Sequence, residues 1–436
     1  MVDTEPTVLN DIKVSSMRNL FHPDNMIAFK RDCRANFFEG KTMADAWKVA
    51  DVVMDRMRHA IDLCDNPQGF FVFHAFGGGT GSGTGVKLLE EMRDCFGFKK
   101  CIFQPVIYPS KHYSSSIVEP YNCLLATHHC QDKDLVDMSI MMDNEAVYKM
   151  CNKQLQLQSP HFHHVNCLIA QCISGLTGPL RYETELNATL NEIQNNLVPT
   201  PTFKHPLLSI SPVRHEERRD HEKFRTADII GELFDSRNFL CDISALNSNR
   251  YLAAVVMMRG DRSGEDGDDA TATSASMSSP PGKDGFRPIC ANQVISALNA
   301  LRKPPDRGYT SRKIRFLPWM EGSGMKIGIV KARPAVTHGF CMTTPKRQGV
   351  LLANTTAVRQ LFNRQYCRFL KLWVHNAYLW QFISAGGEAG EIDEAREGVR
   401  KLIDDYEELI RQSADQEADS GMRIKCSLDN PPAWKQ

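Results

Sequence analysis

The residues with the clearest chemical meaning lie in "GFFVFHAFGGGTGSGTGVKLLEEM" at 69–92, where five glycines fall between Gly77 and Gly83 and a sixth is Gly85. Residues 69–76 read as a buried strand, and 86–96 carry apolar residues at helical spacing, so the glycines form a strand-to-helix turn. Backbone without Cβ atoms lets N–H groups approach an anion closely and permits φ > 0, and the positive end of the following helix adds to the attraction. The chemistry implied is phosphate binding. The two commonest phosphate loops do not fit. Ser82, Thr84 and Val86 fall where the third glycine of G-x-G-x-x-G belongs, and Lys87 is flanked by Val86 and Leu88 rather than by Gly and Ser/Thr as a Walker loop requires.

The elements that position this turn alternate along the first third of the chain. "ADAWKVADVVMDRMRHAIDLC" has a helical pattern, whereas "FFVFHAF" and "KCIFQPVIYP" read as strands, which is the order of a doubly wound α/β sheet. Three blocks follow: a nucleotide-binding block at 1–143, an intermediate α+β block at 144–355 with strands such as "YLAAVVMMRG", and a helical block at 356–436. The segment 260–285 is Gly/Ser/Pro-rich and too polar to pack, and is expected to be a disordered surface insertion. Lys+Arg and Asp+Glu both number 52, so no global charge directs the chain to nucleic acid or to a membrane surface. Its 14 cysteines are scattered without a CxxC pair, which points to free thiols in a reducing cytoplasm.

From Gly77 to Gly83 the chain reads G-G-G-T-G-S-G, and this resembles the signature of tubulin and its bacterial relatives. The resemblance continues in order through "DTEPTVLNDIKVSSMRNLFHPDNMI", "SSSIVEPYN", "MDNEAVY", "LNATLNEIQNNLVPTP" and "EIDEAREGVRKLIDDYEEL". It is nearest to the alpha type, because Glu192 stands where beta-type chains carry Lys and because 330–354 keeps a longer loop. The resemblance implies a tubulin-like fold: a Rossmann-type GTPase domain, an α+β intermediate domain and a C-terminal helical hairpin. It also implies GTP and Mg²⁺ as ligands, a beta-type tubulin as heterodimer partner, and a place in cytoplasmic microtubules of the cytoskeleton. Since Met1 stands directly before the segment resembling the family's second phosphate-proximal loop, the family's first strand, first phosphate loop and first helix are expected to be missing from this sequence.

The residue roles follow from the same resemblance. Gly77, Gly78, Gly79, Thr80, Gly81 and Ser82 would surround the phosphates, with Thr80 and Ser82 able to donate hydroxyl hydrogen bonds. Ser115 would lie near the phosphates and Glu119 would bond the ribose, although Glu before Pro120 is also simply a good helix start. Asn144 and Asn166 would read the guanine edge, each with one carbonyl and one amide. Phe162 would stack on the base, and a buried core Phe fits that position equally. Glu5 would hold Mg²⁺ through water. Glu192 would reach the GTP of the next subunit and activate the attacking water there, so that hydrolysis is completed in trans.

Departures from the family pattern keep a second class open, a tubulin-like interaction protein without productive GTP binding. Ala75 and Ala35 stand where the family has a phosphate-contacting Ser and an Asn of the γ-phosphate loop, and both changes remove donors. The tail lacks the family's glutamate run. In the segment resembling the lateral loop, Arg214, Arg218 and Arg219 add charge beside His221. The cluster of His161, His163 and His164 lacks the paired spacing of a zinc site and reads as drift.

Overall fold

The computed structural model describes residues 1–46, 48–110, 112–114, 116–132, 134–184, 189–218, 224–244, 249–261, 287–302, 314–336 and 340–429, and side chains to 414. Ten strands occur among them, in chain order β1 (Val2–Asp3), β2 (Ile27–Ala28), β3 (Gly69–Phe71), β4 (His74–Ala75), β5 (Cys101–Tyr108), β6 (Met138–Asp143), β7 (Leu207–Ser211), β8 (Tyr251–Gly260), β9 (Met325–Val330) and β10 (Arg347–Thr355). β1 and β2 form a small parallel pair of their own. The other eight form one sheet in the order β3-β5-β6-β7-β10-β8-β9, with β4 also on β5. Pairing is parallel from β3 to β7, antiparallel on both sides of β10, and parallel again between β8 and β9.

The period of two along each strand divides the core into two layers. On β8, Ala254, Val256 and Met258 enter one layer with Ile229, Leu233 and Leu298, while Ala253, Val255 and Met257 enter the other with Val165, Leu168 and Cys172. Strands covered on both faces read as continuous apolar runs, as "YLAAVVMM" does. The helix Glu119–Asp132 is buried almost all round, because it lies between the sheet layer and the C-terminal helices Arg359–Trp373 and Ala389–Asp429. Tyr121 of that helix stacks on Phe382 with ring centres 4.8 Å apart, and Phe362 and Tyr406 close the same layer.

One expectation is corrected here. The run 69–76 is not a fully buried strand but an interrupted edge, in which β3 is half-buried and Phe73 is 48% exposed. Among the described residues it has a single strand neighbour, β5, so its sequence looks apolar while its packing is one-sided. Beyond Asp261, the insertion expected at 260–285 lies outside the described residues, as do Arg219 and His221. No helix among the described residues is long and apolar enough to cross a membrane, and the cysteines described are free thiols.

Candidate functional site

After β4, residues Thr80–Thr84 wind as a single π-helical turn that runs into the helix Gly85–Phe96. The glycines are not there for left-handed backbone. Gly79 and Gly85 have φ of −70° and −60°, and the positive-φ glycines among the described residues are Gly97, Gly260 and Gly386. What the turn needs is clearance. A Cβ on Gly81 would lie 2.0 Å from the Ala75 carbonyl oxygen, one on Gly83 would lie 2.0 Å from that of Phe37, and one on Gly79 would lie 2.6 Å from that of Asn36. Gly40 answers from the other side, where a Cβ would sit 2.3 Å from the Gly79 carbonyl oxygen. Three segments of backbone, the turn, β4 and residues 36–40, are thus pressed together without side chains between them. Gly78 differs, with nothing within 4 Å of its would-be Cβ, and Gly77 meets only the Glu119 side chain at 3.4 Å. On the Cβ side, Gly77 and Gly78 are the positions of the turn that no backbone crowds.

Of the candidate side chains, Glu119 packs on Gly77 and Ser82 bonds Gly78, while the others lie on neighbouring elements. Thr80 Oγ1 lies 2.7 Å from Thr4 Oγ1, which brings the segment carrying Glu5 against the turn. Glu5 is exposed, and its carboxylate accepts a hydrogen bond from the Thr7 hydroxyl at 2.6 Å. Ser82 is buried and donates to the Gly78 carbonyl at 2.5 Å, so its hydroxyl supports the turn. Glu119 is 5% exposed and accepts from the Ser114 hydroxyl at 2.6 Å and the Ser116 N–H at 3.3 Å. Ser115 lies outside the described residues. Asn144 opens the helix Asn144–Lys153 directly after β6, where Asp143 caps it by accepting from the Glu145 N–H at 3.0 Å. Burial pushes the Asp143 carboxyl up to about 6. Phe162 opens the helix Phe162–Leu176 and is 63% exposed, with its ring edge-on to Tyr148 at 6.1 Å. It is therefore no core residue.

Three residues that tie the site together were not singled out from the sequence. Asn122 donates to the Gly77 carbonyl at 2.8 Å and to the Ala35 carbonyl at 2.7 Å, while its Oδ1 accepts from the Phe37 N–H at 3.0 Å. Nothing in "EPYN" marks Asn122 as such; the structure buries its amide fully and bonds it fully, as a buried amide requires. His74 bonds the Gly81 carbonyl, and burial pushes its imidazole down to about 4, so it is neutral at neutral pH. Asn36 caps the helix Phe37–Ala46 by accepting from the Phe38 N–H at 3.0 Å, and its amide donates to the Gln381 carbonyl at 3.0 Å.

Ala35 carries a specific strain. Its φ is +51°, in the left-handed region that costs an L-residue about 1–2 kcal/mol unless it is Gly, Asn or Asp. Ala35→Asn is expected to stabilise the chain by about 1 kcal/mol, read as a higher urea midpoint at an unchanged slope. An unchanged midpoint would mean that the left-handed turn is not strained.

Elsewhere, local contacts account for several candidates. Glu192 is exposed and sits three residues into the helix Leu190–Leu197, where it forms a capping box: the Thr189 N–H donates to its carboxylate at 3.3 Å and its own N–H donates to Thr189 Oγ1 at 3.2 Å. "TLNE" is the sequence signature of that box. Arg214 is held by Glu232 at 2.5 Å and lies over the Phe224 ring at 5.0 Å, so its charge is met within the chain. In the histidine cluster, the His161 N–H donates to His164 Nδ1 at 3.0 Å, and His163 Nε2 lies 3.6 Å from Cys167 Sγ. No group of three or more His, Cys, Asp or Glu among the described residues is arranged to hold a metal ion.

A parallel-dominated sheet with a glycine turn leading from an edge strand into a helix, closed by long C-terminal helices, defines an α/β protein of the GTPase-domain type, and residues 1–152 match the Tubulin/FtsZ family GTPase domain. Over 416 residues the chain is 36% identical to the tubulin alpha-1B chain of Schizophyllum commune, covering 95% of this chain and 84% of that one. It is 34% identical to the tubulin alpha chain of Dictyostelium discoideum over 416 residues, with 95% and 83% covered, and 36% identical to the tubulin alpha-8 chain of Caenorhabditis elegans over 421 residues, with 96% and 84% covered. The chain belongs to the tubulin family and is alpha-tubulin-like.

Proposed function

We propose that this tubulin subunit binds GTP at the glycine turn, pairs head to tail with a beta-type tubulin, and enters cytoskeletal filaments in which Glu192 completes hydrolysis of the neighbour's GTP. The observation that carries the proposal is the uncovered Gly77–Gly78 backbone beside the buried Glu119 carboxylate. Backbone N–H groups at a helix start attract phosphate. Asn144 and Asn166 support a guanine base through their side-chain amides, each with a donor and an acceptor, and exposed Phe162 stands one turn before Asn166 on the same helix.

Glu5 suits Mg²⁺ through its hard carboxylate oxygens, since this ion is commonly held by one or two carboxylates together with phosphates and water. When bound, the ion would neutralise charge on the phosphates. The chain's own residues supply the rest: the turn holds the phosphates, Glu119 orients the ribose, and Ser82 keeps Gly78 in place. Glu192 acts on a water in the adjacent subunit, not on this site.

The competing class, a tubulin-like interaction protein without productive GTP binding, draws support from Ala35 and Ala75, which offer no side-chain donor, and from the commitment of the Ser82 hydroxyl to Gly78. One experiment separates them. The chain co-purified with a beta-type tubulin is expected to release guanine nucleotide on denaturation, in excess over adenine and above the one equivalent due to a beta chain saturated separately. Adenine nucleotide, or no nucleotide beyond the beta chain's share, would favour the second class.

A further inference from the structure

We infer that His74 is a positioning residue that holds the glycine turn in its wide, π-helical form and thereby sets the Gly77–Thr80 backbone toward the phosphates. The inference rests on the nucleotide reading above for its function, but not for its geometry.

The directions of the hydrogen bonds follow from one end of a chain. The Gly81 carbonyl can only accept, so His74 Nδ1, 2.6 Å away, carries the proton of the neutral ring and donates to it. His74 Nε2 is then an acceptor, and the group 2.6 Å from it is Gln104 Nε2, which donates. Gln104 has no exposed surface, and its Oε1 accepts from Ser139 Oγ at 3.1 Å. Phe76 packs on the imidazole with ring centres 5.3 Å apart.

The carbonyl that His74 takes is the one the turn gives up. In a regular α-helix the Gly85 N–H would bond Gly81, four residues back. Here it bonds the carbonyls of Thr80 and Ser82. The imidazole occupies the position this register shift opens, and it does so against Gly85, where a Cβ would stand 2.9 Å from Nδ1. One imidazole, one absent methyl and one wide turn thus form a unit, and wide turns of this kind recur at functional sites. The order "HAFGGGTGSGTG" therefore carries two distinct instructions: clearance at Gly79, Gly81 and Gly83, and room for an imidazole at Gly85.

The test is a double-mutant cycle in the full chain with its beta-type partner, made of the parent, His74→Ala, Gly85→Ala and the double substitution, with His74→Asn beside it, whose amide can place a donor where Nδ1 stands. Two readouts are taken: amide hydrogen exchange at 82–88 and the dissociation rate of bound guanine nucleotide. Loss of the imidazole is expected to speed both by about 10-fold, the scale of one lost hydrogen bond, and His74→Asn is expected to recover most of that. Gly85→Ala should act alike in the parent by pushing the ring off Gly81, yet add nothing in the His74→Ala chain, where the ring is gone. Additive effects, unchanged exchange, or altered exchange with unaltered nucleotide release would each overturn the proposal. Should His74→Ala not fold, Gly85→Ala against His74→Asn decides it by the same two readouts. A parent that retains no guanine nucleotide would instead sink the functional reading, while additivity in the exchange cycle would still judge His74.

Discussion

In filaments formed with a beta-type tubulin, Glu192→Gln is expected to slow phosphate release by about 10²- to 10⁴-fold, the usual worth of a group that activates or orients water. The choice of Gln follows from the capping box. Glu192→Ala would remove the carboxylate and with it one half of the capping box, so a change in rate could come from a frayed helix. Glutamine still accepts from the Thr189 N–H and keeps the box, but cannot take a proton. Thermal stability and the nucleotide held by the chain itself should stay as in the parent. Filaments should retain GTP longer and shorten more slowly. Equal phosphate release per polymerised dimer, with polymer shown by sedimentation, would take Glu192 out of the mechanism.

The second large effect separates two kinds of glycine in one motif. Gly81→Ala and Gly83→Ala each force a methyl to within 2.0 Å of a backbone carbonyl oxygen, that of Ala75 or Phe37, and neither can yield without moving β4 or the helix Phe37–Ala46. Each should cost at least the roughly 1–3 kcal/mol of an overpacked core, seen as a lower urea midpoint whether or not nucleotide is present. Gly78→Ala meets nothing within 4 Å and should leave stability within about 0.5 kcal/mol. It should nevertheless weaken nucleotide retention by roughly 10- to 100-fold, because a methyl on the open face displaces a phosphate from backbone N–H groups and such charge-assisted bonds are worth about 1.5–3 kcal/mol. If Gly81→Ala proves as stable as Gly78→Ala, the close packing of the turn is wrong. If Gly78→Ala holds nucleotide as the parent does, Gly77–Gly78 is not the ligand face.

The placement of the candidate residues shows where sequence patterns stop carrying information. A phosphate turn was legible because it is local: a strand pattern, a run of glycines and an amphipathic helix occupy 28 consecutive positions at 69–96. The capping role of Glu192 was equally local, written in "TLNE", and was overlooked beside the proposed role in trans. The bonds of Asn122 to residues 35, 37 and 77 were not legible, because they join segments 45 to 87 positions apart. Arg214 looked like a free surface charge, since its partner Glu232 comes 18 positions later on another element.

By itself the sequence determined the alternation of strands and helices, the strand-to-helix turn, and the tubulin-like order of segments, all of which depend on neighbours in the chain and on hydrophobic period. Tertiary structure alone decided what the glycines are for. Backbone from β4 and from residues 36–40 approaches the turn at distances no side chain can occupy, so Gly79, Gly81 and Gly83 serve the packing of the turn as well. The same fold leaves the Cβ side of Gly77 and Gly78 clear of backbone and places a neutral imidazole under the turn, since only a folded sheet can bring Ser139, Gln104 and His74 into one line of hydrogen bonds.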